Sequence, residues 1–194
     1  MVSEFQSKRL NQELKKITED FKRNYEIVRK SSEDKYKASL PAGAVVGIKQ
    51  GFYFEEDRKT FDRVCNEARQ KAHALVDPIA KDILDLNTKA PTTEAVNVVT
   101  LINAREHVSA DEIDQLMTKY GRECPMVYRA LYDKAQSLGY KDFMQHPISE
   151  EAENIESLSS LIDRTYSTAA AEHNILANTA AMNVTIDSTF PIGE

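Results

Sequence analysis

Apolar residues recur at threes and fours along most of this chain, the period of an amphipathic helix. The clearest run lies between Phe54 and Leu86. Phe61, Val64, Cys65, Ala68, Ala72, Leu75, Val76, Ile79, Ile83 and Leu86 form one stripe, with acidic and basic residues on the other face. Asp77-Pro78 interrupts it. Aspartate suits an N-cap and proline the first helical position, so this is either one kinked helix or two helices, 55–76 and 78–88. The stripe crosses the junction in phase, which favours a kink.

Before it, residues 4–37 read as one helix. Leu10, Leu14, Ile17, Phe21, Asn24 and Val28 step alternately by four and three, a heptad seam. Asn24 on such a seam would fix register. A narrow seam with polar flanks must lie on a bundle or pair with another chain. Leu40-Pro41-Ala42-Gly43 ends the helix. Residues 44–54 are strand-prone but broken by Gly47 and Gly51, and read as an irregular loop or small hairpin. Phe52-Tyr53-Phe54 either anchors a partner or closes one end of the core.

After the connector Lys89-Ala90-Pro91, the pattern predicts three short helices. The first, 94–106, is apolar nearly all round and should be buried. Ser109-Ala110-Asp111-Glu112 is a capping box opening the second, which Gly121 should stop. Pro125 starts the third and Gly139 ends it. One long helix then runs from Ser149 to about Ala177. From Asn183 the sequence NVTIDSTFPIGE predicts an extended tail, with Phe190 and Ile192 available for docking. The expected architecture is all-α: a multi-helix bundle with a long N-terminal amphipathic helix and an extended C-terminal tail. Residues 1–40 would be a helical arm, 41–178 the bundle core and 179–194 the tail.

Composition narrows the class without naming a reaction. The 194 residues fit one domain, or one domain with arms. Six glycines and six prolines leave little material for turns, which again favours few, long elements. The net charge of −6 argues against a surface that binds nucleic acid all over. That charge is unevenly spread. Residues 1–40 hold ten basic and seven acidic side chains, whereas 142–194 hold one arginine and nine acids, so the two ends can attract each other. Cys65 and Cys124 form no C-x-x-C motif. No apolar run is long enough for a signal peptide or membrane span, which points to the cytoplasm. Asn183-Val184-Thr185 matches a glycosylation acceptor.

The motifs of phosphate loops, dinucleotide folds, zinc proteases and serine hydrolases are missing. The four histidines are scattered. His73, beside the central stripe, reads as a hydrogen-bonded structural residue rather than a ligand or base. Asp82 and Asp85 read as surface charges rather than half of a di-metal site. No metal or cofactor is expected, and the pattern predicts a non-enzymatic protein. Contacts with a partner would fall to Leu10, Leu14, Ile17, Phe21 and Val28 on the first helix, and to Phe190 and Ile192 on the tail. An alternative places Tyr128, Arg129 and Lys134 on the recognition helix of a DNA-binding helix-turn-helix regulator.

Residues 95–140, especially LINAREHVSADEIDQLMTKYG and VYRALYDKA, resemble the small, acidic, helical proteins of tailed-bacteriophage structural gene clusters. The resemblance implies a virion component, plausibly of the head, or an assembly factor. Such a protein would act through packing and arms without catalysis, as a homo-oligomer or with other virion proteins.

Overall fold

A computed structural model describes residues 4–42, 44, 51–122, 124–144 and 146–192. Among them are seven α-helices, one π-helical segment and no strand: α1 (Glu4–Ser39), α2 (Glu55–Asn87), α3 (Thr93–Ala104), α4 (Ala110–Leu116) leading into the π segment Met117–Gly121, α5 (Pro125–Ser137), α6 (Pro147–Thr165) and α7 (Thr168–Thr189). The all-α expectation holds. Most of the loop at 44–54 lies outside the described residues. The chain divides into two compact units, one of residues 2–78 and 154–194, the other chiefly of 79–153. The first holds both α1 and α7, which pack on each other, so α1 does not stand apart as an arm.

In the first unit, α1, α2 as far as Pro78, α6 from Asn154 onward and all of α7 surround an aromatic core. Phe61 of α2 is fully buried. Its ring centroid lies 5.3 Å from those of Phe21, Tyr25 and Phe52 alike. Tyr166 packs edge-on to Phe21 at 5.0 Å and shares a 2.9 Å hydrogen bond with the Thr18 hydroxyl. Burial pushes the Tyr166 phenol up to about 12, so it is neutral at any physiological pH. Cys65 is a free, buried thiol in this core. Phe52 closes the core, while Tyr53 stacks on Tyr36 at 4.4 Å. Asp57, in the first turn of α2, is buried and meets Lys35 of α1 at 2.6 Å.

The α1 seam is rotated from the expected one. Leu14 and Phe21 face inward, but the other buried positions are Ser7, Asn11, Thr18, Tyr25 and Ser32. Leu10 and Ile17 are half-buried and Asn24 is exposed. The reason is hydrogen bonding: Thr18 meets the Leu14 carbonyl and Tyr166, and Ser32 accepts from the Tyr53 amide at 2.9 Å. The three buried hydroxyls of α1, on Ser7, Thr18 and Ser32, are all answered, which is the condition for burying them at all.

The expected long last helix is two helices. Ser167 leaves helical geometry and its hydroxyl accepts the Ala170 N–H, which starts α7 afresh. A second break follows at Asn174 (φ −163°, ψ 84°), whose side chain caps the Ala177 N–H at 3.0 Å. The extended tail is a further correction. Residues 183–189 continue α7, with Met182, Ile186 and Phe190 buried. Burial along one face outweighs the weak helix propensity of its β-branched residues.

Asp77-Pro78 does not split α2, which passes through the proline. In the second unit, Ala95, Ile102, Val108, Ile113, Met117, Val127, Leu131 and Ala135 make the core. Ser109 caps α4 as the sequence implies, and Thr92 caps α3. Gly139 ends α5 with φ 85°, but Gly121 has another duty. A Cβ there would stand 3.1 Å from the Tyr128 Cα, so glycine lets the π segment touch the α5 backbone.

Gly51 is constrained twice, by φ +88° and by Glu172, whose Oε1 would be 2.6 Å from an added Cβ. Glu172 itself accepts from the Phe52 amide and pairs with Arg58. Gly51→Ala should therefore destabilise the protein by about 1–2 kcal/mol, the left-handed penalty alone. A urea titration followed by circular dichroism measures it, and an unchanged midpoint would contradict the assignment.

Candidate functional site

The residues expected to bind a partner through α1 do not form one accessible face. Leu14 and Phe21 are enclosed by the first unit, and Leu10, Ile17 and Val28 are half-buried. Phe190 is likewise enclosed, leaving Ile192 exposed. The two ends of the chain meet each other instead. Ser7 donates to the Pro191 carbonyl, Asn11 to Asp187 and the Phe190 carbonyl, and Lys15 pairs with Asp187 at 2.6 Å. The Asn11 hydrogen bond, with help from Lys15, holds the Asp187 carboxyl below its ordinary value. This is one instance of the attraction between a basic start and an acidic end.

The helix-turn-helix trio is also spread out. Lys134 Nζ donates to the carbonyls of Arg105 (2.8 Å) and Asn103 (3.4 Å), satisfying the end of α3. Tyr128 donates to the Met144 carbonyl at 3.1 Å and lies edge-on to His146. Arg129 is exposed. At 100° per residue, 128, 129 and 134 point in three directions rather than along one reading face.

Nearby, Arg105, His107, Ser109, Glu112 and Tyr140 border an open cleft of about 470 Å³. Its charges are already matched: Arg105 meets Glu112 at 2.5 Å. The Tyr140 hydroxyl donates to the Val108 carbonyl. Among the described residues no three His, Cys, Asp or Glu side chains are grouped to hold a metal ion. None of the described helices is long and apolar enough to cross a membrane.

What stands out on the surface is uncharged helix. From Asn174 through Ile186, α7 carries no ionisable residue. Leu176, Ala177, Ala180, Ala181 and Val184 all point outward, at spacings that set them in one stripe. Leu176 is 61% and Val184 70% exposed. In the other unit, α3 was expected to be buried all round, yet it buries only Ala95 and Ile102 fully. Val96, Asn97, Thr100, Leu101 and Ala104 face solvent, because the short helix has one core to pack on. Sequence reasoning missed the α7 face by assigning its second half to a tail. The signal was available, since thirteen successive residues without a charge are unusual on a helix half in water.

No protein-family model, curated protein or solved structure matches this chain.

Proposed function

We propose that this protein is a non-enzymatic structural or assembly component working through helix packing, and that its partner at α7 is a second copy of itself. The outward face of α7 carries this reading. Two copies of a chain with net charge −6 repel on average, so they meet most cheaply where neither presents charge. Laid antiparallel about a twofold axis at Ala180, Leu176 of one copy stands opposite Val184 of the other. The alanines at 177, 180 and 181 let the backbones come close. Such a contact is isologous and closes on itself. One helix face is small as interfaces go, which makes the association concentration-dependent. The resemblance of residues 95–140 to phage structural-cluster proteins would place the assembly in a virion or on the way to one.

Light scattering over a concentration series tests the proposal. A dimer is expected to populate by on the order of 100 µM. Leu176→Glu with Val184→Glu should abolish it while leaving the thermal unfolding of the monomer nearly unchanged, because both side chains are already exposed. A wild-type protein that stays monomeric, or a double variant that still dimerises, overturns the proposal.

A further inference from the structure

In the first unit the His73 ring lies between two carboxylates. Its Nδ1 is 3.0 Å from Asp77, one turn along α2, and its Nε2 is 3.1 Å from Asp163 on α6. An ionised carboxylate accepts and cannot donate, so both ring nitrogens must carry a proton for both contacts to be hydrogen bonds. Only the imidazolium satisfies this arrangement. A neutral ring must surrender one of the two acids.

Three charged groups bear on the ring. Asp77 and Arg69 come from α2 and Asp163 from α6. Arg69 Nε lies 3.9 Å from the same Asp163 oxygen that His73 holds, and its Nη2 donates to the Tyr166 carbonyl at 3.4 Å. Arg69 therefore competes for Asp163. The position is also significant along the chain. The next residue after Asp77 is Pro78, which has no N–H to give the Ala74 carbonyl, and beyond it the chain leaves this unit.

We infer that His73 is a proton-operated fastener: charged, it ties the final turn of α2 before Pro78 to α6, and neutral, it yields Asp163 to Arg69 and lets that turn open. The ring is about one-quarter exposed and both acids are more than half exposed, so protons reach the site without unfolding. Partial burial lowers the imidazole pKa, but the bonds to Asp77 and Asp163 and their negative charges more than offset it, so the folded value is raised. A raised folded value means that the stabilisation is complete below the ordinary histidine value of about 6.5 and is lost as pH rises through the higher folded value. The device thus loosens as pH rises through that raised value. It is independent of any contact through α7.

Nitrogen-detected NMR of the full chain, with hydrogen exchange across residues 70–82 from about pH 5.5 to 9 corrected for intrinsic rate, tests it. His73 should show both nitrogens protonated near pH 6.5 and titrate above the ordinary value, and Asp163→Asn should move that midpoint down. Opening of the segment should rise several-fold as His73 deprotonates, whereas in His73→Gln it should no longer change with pH. A single-nitrogen tautomer near pH 6.5, a midpoint at or below the ordinary value, or an unaltered pH dependence in His73→Gln would each refute the inference. The wild-type titration decides the matter even if a variant fails to fold.

Discussion

Phe61→Ala should cost about 3–5 kcal/mol, the range for deleting a fully enclosed aromatic ring. Phe61 has no exposed surface and is the ring that Phe21, Tyr25 and Phe52 all touch. Those three come from α1 and from the segment leading into α2, and cannot all close on the space it leaves. The loss includes both the transfer of the ring to water and an unfilled cavity. Against a total stability of about 5–15 kcal/mol, it removes much of what holds the first unit together. Chemical denaturation should show a lower midpoint with an unchanged slope. A shift below about 1 kcal/mol would mean that the aromatic cluster is not the centre of this core.

The second large effect concerns the closure of the two chain ends. Asn11 is fully buried and its amide donates to Asp187 and to the Phe190 carbonyl, both at 2.8 Å. Asn11→Ala removes both donors at once and leaves the buried carbonyl unanswered, at a cost of about 1–3 kcal/mol. The damage should be local as well as global. Hydrogen exchange at residues 186–192 should quicken more than elsewhere, since the last turn of α7 loses its anchor. If protection at the C-terminus survives the substitution, the amide is not what holds it.

Much of this architecture could be read from periodicity. The α2 stripe, the cap at Ser109 and the stop at Gly139 all rest on local chemistry that the sequence states directly. The failures have a common origin in residues whose role depends on distant partners. Asn11 and Thr18 look like surface positions until Asp187 and Tyr166, far along the chain, are brought to them. Placing the seam one residue away, at Leu10 and Ile17, was the natural reading of hydrophobicity alone. Ser167 is an N-cap signal set within an apolar pattern that runs on past it. Asn183 to Thr189 is rich in residues that favour extended chain, and only burial of Met182 and Ile186 shows it to be helix. Of the surface features, the structural role of His73 was legible, although its second acid, Asp163, was not. The α7 face is marked in the sequence by thirteen successive uncharged residues, and these become a stripe once the segment is helical.

The small polar groups hidden along α1 carry one more consequence. A long helix laid on its neighbours can slide by a turn and still bury leucines and aromatics. Slipped by three residues, α1 would bring Leu14 to where Asn11 answers the Phe190 carbonyl, stranding that carbonyl in hydrocarbon. Those modest side chains thus penalise the misaligned forms more than they strengthen the correct one. Replacing Asn11 and Thr18 with leucine would give a greasier helix with several resting places instead of one.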